Sequence, residues 1–104
     1  MQSDKFLRML GLAQRAGGVA FGEGAVRDSI RGNTAKLVIV AKDAADNTKK
    51  KFGDNCSFYG IRYAELFDRY TLGKACGREF AVVLSVKNEG LAQNLITMLD
   101  TDTL

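Results

Sequence analysis

The chain has 104 residues, 46% of them hydrophobic and 26% charged, which suits one folded domain and argues against disorder. No apolar run approaches the roughly 20 residues of a membrane-spanning helix, and the first residues carry Asp4, Lys5 and Arg8 where a signal peptide would have its apolar core, so a cytoplasmic protein is expected. Net charge is +3, yet residues 1–87 hold all 15 basic side chains and nine of the 12 acidic ones, a net of +6 that suits a polyanionic partner, with the acidic residues Glu89, Asp100 and Asp102 at the end.

In chain order, Ser3 is a good N-cap for a first helix over Asp4 to Ala16, with Phe6, Leu7, Leu10 and Ala13 at helical spacing and Gly17-Gly18 as its stop. Val19-Ala20-Phe21 reads as a short strand, Gly22-Glu23-Gly24 as a turn, and Ala25 to Arg31 as a second helix burying Val26 and Ile30. Lys36 to Ala41 is a continuous, β-branched stretch bounded by polar residues, the pattern of a strand covered on both faces. Asp43 is placed to cap a third helix over Ala44 to Lys51, whose terminal lysines, Lys49, Lys50 and Lys51, would complement the helix dipole. Cys56 to Ile61 reads as a third strand, Tyr63 to Tyr70 as a fourth helix and Leu72 to Cys76 as a short helical segment ending at Gly77. Phe80 to Val86 is the fourth strand, and Asn88 caps a last helix whose stripe of Leu91, Ala92, Leu95, Met98 and Leu99 belongs to the core.

Helix and strand alternate throughout with short connections, which argues for an α/β protein with helices on both faces of a mostly parallel four-stranded sheet, a three-layer α/β/α sandwich in a single domain over residues 1–104. Cys56 and Cys76 are expected to be buried thiols, since two cysteines make neither a disulfide framework nor a zinc site. The absence of histidine removes the commonest general base, and no clustered acid pair, activated serine or phosphate-loop lysine replaces it. No catalysis, cofactor or metal is expected.

The residues that could carry binding chemistry lie near one predicted sheet edge. Gly22, Glu23 and Gly24 stand between a strand and a helix, where backbone amides point outward unsatisfied and attract phosphate; two glycines allow close approach, although a plain tight turn reads the same residues equally well. Arg27 and Arg31 share one helix face at i, i+4 spacing, Lys42 follows the central strand, and Lys74 and Arg78 flank Gly77. Arginine can fork onto phosphate or guanine edges, whereas lysine mainly adds point charge. Tyr63 and Tyr70 could stack on bases, but at helical spacing they read better as half-buried core. A dinucleotide fingerprint fits poorly, because Arg27 stands at its third glycine position and Asp43 is already explained as a cap.

Several of these segments resemble the kink-turn-binding ribosomal protein superfamily of L7Ae and L30e. The resemblance is carried by Gly22 at the head of helix two, by Arg31-Gly32 leading to Ala35-Lys36-Leu37-Val38-Ile39-Val40-Ala41-Lys42-Asp43, and by Leu72-Gly73-Lys74-Ala75-Cys76-Gly77 before the last strand. Leu10-Gly11-Leu12-Ala13-Gln14-Arg15-Ala16-Gly17 and Asp46-Asn47-Thr48-Lys49-Lys50-Lys51 look like its YlxQ-like bacterial branch. The resemblance implies a mixed sheet of order 1-4-2-3 with strand four antiparallel. It also implies RNA binding through the head of helix two and the loops after strand two and before strand four, which in that family recognise a sharply bent internal loop with sheared G·A pairs. Gly22 fits the family pattern; Gly24 and Ala25 replace larger polar residues, and the family's lysine falls on Asp28, with Arg27 one residue earlier.

The expectation is therefore a ribosomal-protein-like, non-catalytic protein that binds structured RNA, ribosomal or other, in association with the ribosome. Its site would comprise Gly22, Glu23, Gly24, Arg27, Arg31, Lys42, Lys74 and Arg78, with no membrane or DNA partner. The alternative, motivated by Ala25, Asp28 and Glu79, is a protein-interaction module on the same fold that has lost kink-turn recognition; a nucleotide-binding enzyme ranks last.

Overall fold

In the computed structural model, which describes residues 2–101, the chain runs α1 (Ser3–Arg15), β1 (Val19–Phe21), α2 (Glu23–Arg31), β2 (Leu37–Val40), α3 (Asp46–Tyr59), β3 (Arg62–Glu65), α4 (Arg69–Ala75), β4 (Val83–Val86) and α5 (Glu89–Asp100). The strands form one sheet in the order β1-β4-β2-β3. β2 and β3 are parallel, and β4 runs antiparallel to both β1 and β2. Period-2 alternation divides the core. Leu37, Ile39 and Ala41, with Leu84 and Val86, face a cluster built with Phe6, Leu10, Leu72 and Leu95 from α1, α4 and α5. Val38, Val40 and Val83 face Val26 and Ile30 of α2 and Phe52 and Cys56 of α3. The uninterrupted apolar run of β2 thus serves two cores at once, and all four of its residues are buried.

Two expected elements differ. Cys56 to Ile61 is not a strand: α3 continues to Tyr59, because Thr48, Phe52 and Cys56 recur every four residues and bury one helical stripe, leaving Phe58 83% exposed. Gly60, at φ 69°, ends the helix in the left-handed conformation, with its N–H on the Ser57 carbonyl. Tyr63 to Tyr70 is not a helix. Its first residues form β3, where backbone pairing to β2 and packing of Tyr63 over Gly53 override a helix-like composition. The Tyr63 hydroxyl donates to the Glu65 carboxylate at 2.8 Å, with the Lys49 carbonyl 3.2 Å away, while Tyr70 is exposed, so neither tyrosine occupies the expected helix face. β4 begins at Val83, three residues later than expected, because the Ala81 N–H is drawn to the Arg69 carbonyl instead of a strand.

Capping differs as well. Asn88 caps α5 as expected, accepting from the Leu91 N–H. Ser3 lies inside α1, whose N-cap is Gln2 with no side-chain bond. Asp43 does not cap α3: the N-cap is Ala45, and the Asp43 carboxylate is engaged elsewhere. Because α3 is longer than expected, Lys49, Lys50 and Lys51 sit in its first half and do not serve the dipole at its end. Lys50 instead pairs with Asp54, and Lys51 with Glu23 of α2. Cys56 and Cys76 are buried free thiols, each pushed up to about 11 by desolvation. Asp100, at the end of α5, pairs with Arg62, which holds its carboxyl below the ordinary range; Asp102 lies outside the described residues.

One buried polar contact fixes α2 on the sheet. The Ser29 hydroxyl donates to the Val26 carbonyl at 2.7 Å and lies 2.8 Å from the hydroxyl of Ser85 in β4. With its single hydrogen committed to Val26, Ser29 Oγ accepts from Ser85. Removing the two hydroxyls should therefore have unequal effects. Ser29→Ala leaves the fully buried Ser85 O–H unpaired and should cost about 1–3 kcal/mol, whereas Ser85→Ala removes one bond and should cost about 1 kcal/mol or less. Urea midpoints of the two single variants and the double variant test this; equal single costs would overturn the assigned direction.

Candidate functional site

The three parallel strands end on the same edge of the sheet at which antiparallel β4 begins, as the pairings Phe21↔Leu84, Val40↔Val83 and Val40↔Glu65 show. Four connections therefore meet there, and backbone hydrogen bonds lock them together. Gly22 N–H donates to the Val83 carbonyl, Ala41 N–H to Val82, Lys42 N–H to Phe67 and Ala81 N–H to Arg69. Asp43 adds a clamp. Its carboxylate accepts from the Arg69 N–H at 3.1 Å and from Arg69 Nε at 3.2 Å, and its carbonyl accepts from the same guanidinium at 2.8 Å. Asp68 caps α4, accepting from the Tyr70 and Thr71 amides and the Thr71 hydroxyl, bonds that hold its carboxyl below the ordinary range. These bonds tie the four connections to one another.

At the head of α2, Gly22 occupies the N-cap with φ 88° and ψ 159°, a conformation essentially restricted to glycine. No side chain caps this helix, and its first intrahelical bond runs from Val26 N–H to the Gly22 carbonyl. The amides of Glu23, Gly24 and Ala25 therefore face outward at the positive end of the dipole. The Gly22 amide, expected to be among the phosphate donors, is already bonded to Val83; Ala25 takes its place. The Glu23 carboxylate is turned to Lys51, 2.8 Å away, so its charge is locally offset.

Two guanidiniums lie on this edge. Arg27, half-buried, folds back along the first turn of α2, its Nη2 within 3.9 Å of where a Cβ on Gly24 would stand. Arg78 lies over the ring of Phe21 at 3.9 Å from the centroid, with its backbone N–H held by the Gly73 carbonyl. Phe21 is the residue immediately before Gly22, and its ring packs on the α1, α4 and α5 side of the sheet, so a cation–π contact fixes the Arg78 cation at the end of β1. Lys42 is exposed on the neighbouring loop, and Phe80, 53% exposed, projects from the segment before β4.

The edge thus brings together Gly22, Glu23, Gly24, Arg27, Lys42 and Arg78 of the expected residues. Arg31 and Lys74 lie apart. Arg31 ends α2, about 12 Å along the helix axis from Glu23 by the usual rise per residue. Lys74 lines a groove between α1 and α4. Phe21, Arg69 with Asp43, and Phe80 were not singled out from the sequence. An aromatic residue directly before a glycine turn is the one signal that could have indicated Phe21. Among the described residues, no group of three or more side chains is placed to hold a metal ion, and no helix is long and apolar enough to cross a membrane.

The chain is similar to the RNA-binding protein YlxQ of Bacillus subtilis (strain 168), 41% identical over 100 residues that cover 96% of this chain and 100% of that protein. A second RNA-binding protein YlxQ, from Enterococcus faecium, is 34% identical over 96 residues and 92% of each chain. Among solved structures, a protein of unknown function from Bacillus halodurans C superposes with a TM-score of 0.90 at 38% identity, covering 92% of this chain and 97% of that one. The Giardia lamblia 15.5kD RNA binding protein shares the fold at 20% identity, with a TM-score of 0.80 over 94% of this chain and 87% of its own. The family model described as ribosomal protein L7Ae/L30e/S12e/Gadd45 matches residues 4–96, and the chain belongs to that family.

Proposed function

We propose that this protein is a non-catalytic, cytoplasmic, ribosome-associated RNA-binding protein that grips a sharply bent, kink-turn-like RNA at the loop edge. The observation that carries the reading is the uncapped head of α2, with Arg27 folded along its first turn and Arg78 stacked on Phe21, the residue before its N-cap. Three outward amides at Glu23, Gly24 and Ala25 would receive a phosphate, Arg27 would flank it from the helix, and Arg78, pinned on Phe21, from the opposite loop. Lys42 adds charge, and Phe80 offers an aromatic face to an unstacked base. The rigid loops suit recognition by shape: a bend in the RNA brings two phosphate runs within reach of one small edge, which a straight duplex cannot do. Membership of the family and the names of the two bacterial relatives support RNA as the partner.

Gel-shift titration against a kink-turn duplex and a straight duplex of equal length tests the reading. The bent RNA should be preferred. Arg27→Ala and Arg78→Ala should each weaken binding about tenfold and reduce the log–log salt slope by about one unit. Wild-type affinity in both variants would reject the site. Equal binding of bent and straight RNA would reject kink-turn recognition, and no binding of either at moderate salt would favour a protein-interaction role. Co-sedimentation with ribosomal subunits tests the ribosomal association separately.

A further inference from the structure

A second surface stands apart from the loop edge. α1 and α4 meet at Gly11, where a Cβ would come within 2.8 Å of the Ala75 carbonyl oxygen, so the two helices approach closely at this point. On the solvent side of this contact a groove of about 760 Å³ opens. One wall is the α1 stripe of Asp4, Leu7, Arg8, Gly11, Leu12 and Arg15; the other is Thr71, Lys74 and Ala75 of α4. The α1 positions recur at helical spacing, and so do those of α4, so both walls are continuous helix faces.

Two features say what would fill it. Part of the lining is apolar: Leu7, Gly11 and Ala75, beside Leu12, a leucine left 47% exposed. The charged part of the lining is mostly cationic. Arg8, Arg15 and Lys74 share the lining with the leucines against the single carboxylate of Asp4, and none of the three takes part in the ion pairs formed among the described residues. Arg15 reaches over the helix contact, its Nη1 within 3.5 Å of a Cβ position on Gly11. An RNA strand would find cations here but no aromatic side chain to stack on, and it would gain nothing from the leucines. A helix with leucines on one face and carboxylates beside them matches both the leucines and the cations.

We propose that the α1–α4 groove is a docking site for an acidic amphipathic helix of a partner protein. The helix would lay its apolar stripe between Leu7 and Leu12 and set its carboxylates against Arg8, Arg15 and Lys74. The loop edge remains free, so the protein can hold RNA and a protein partner together.

The test uses the full chain and a stapled synthetic helix of about 14 residues with leucines at i, i+3/i+4 and i+7 and glutamates beside them, and a lysine-for-glutamate version as control. NMR titration of the isotopically labelled protein should show saturable binding of the acidic helix, with shifts confined to Leu7–Arg15 and Thr71–Ala75, and none with the basic helix. The double variant Arg8→Glu/Arg15→Glu should weaken the acidic helix about tenfold or more while keeping kink-turn affinity within about twofold. Arg8→Gln/Arg15→Gln, which leaves the surface uncharged there and guards against misfolding of the reversal variant, should lie between. Absence of saturation, shifts elsewhere, or equal binding of both peptides would overturn the proposal. A parallel loss of RNA affinity in both double variants would also overturn it and make the groove an extension of the RNA surface.

Discussion

Gly73→Ala is expected to be the most damaging single-methyl change near the site. A Cβ there would lie 2.5 Å from Phe80 Cα, 2.7 Å from Phe80 N and 2.8 Å from its carbonyl carbon. All three are backbone atoms, so no rotamer change relieves the contact; either α4 or the segment entering β4 must move. Overpacking of this kind costs about 3 kcal/mol, which for a domain of this size corresponds to a fall in Tm of roughly 12 °C or more. The movement would also reach the site, because the Gly73 carbonyl holds the Arg78 N–H at 2.8 Å and Phe80 is the residue displaced. RNA affinity measured well below the lowered Tm should therefore fall with stability. Gly24→Ala is the control. Its Cβ would meet only the end of the Arg27 side chain at 3.9 Å, and an alanine in the first turn of α2 should leave stability unchanged or raise it by a few tenths of a kcal/mol. Equal effects from the two substitutions would show that the Gly73–Phe80 approach is not what sets the position of the loop.

The elements that could be read from the sequence were those whose local pattern and tertiary role agree. β2 was legible because both of its faces are buried, so its apolar run needs no knowledge of its neighbours. α2 and α5 were legible because their buried residues recur at helical spacing between glycine or asparagine boundaries. β3 was not. It is an edge strand of four residues with exposed ends, held by pairing to β2 alone, and Arg-Tyr-Ala-Glu has no alternation strong enough to mark it. The misplaced strand at Cys56 had the opposite cause. Phe58 and Tyr59 look like strand residues, yet their rings meet edge to face at 5.0 Å on the outside of α3, while the stripe that identifies the helix is spread over nine residues from Thr48 to Cys56. The antiparallel direction of β4 came only from resemblance to a family, since alternation of helix and strand carries no information on strand direction.

The site divides along the same line. The head of α2 and the flanking Arg27 are neighbours in the chain, and the glycine turn marked them. Arg78 was marked by charge alone. That it rests on Phe21, more than fifty residues earlier, depends on β1 and β4 being adjacent, which is a fact of topology. The same holds for the Asp43–Arg69 clamp. Asp43 has the composition and position of a helix cap, and only the adjacency of β2 and β3 makes Arg69 the better partner. Conversely, Arg31 and Lys74 shared the charge of the other candidates but not their edge, because Arg31 ends a helix that starts at the edge and Lys74 faces α1.

Gly22→Ala should separate the conformation of the α2 head from everything around it. No atom lies within 4 Å of a Cβ at this position, so the substitution meets no steric obstacle from neighbours; its whole cost is the backbone conformation, φ 88° and ψ 159°. An L-residue there is strained by roughly 1–3 kcal/mol. The chain can relieve this only by rotating Gly22, which would break its N–H bond to Val83 or re-aim the amides of Glu23, Gly24 and Ala25. Denaturant midpoints should therefore fall, and RNA affinity should fall further than for a substitution of equal cost in the core. D-Alanine, introduced by peptide ligation, gives the decisive contrast. The mirror image of this φ, ψ pair lies at the margin of the extended region open to an L-residue, so the D-residue relieves most of the backbone strain. It should keep RNA binding and raise stability by about 0.4–1 kcal/mol, because it restricts the unfolded chain. If D-alanine destabilised the protein as much as L-alanine does, the left-handed geometry of Gly22 would not be what holds the outward amides in place.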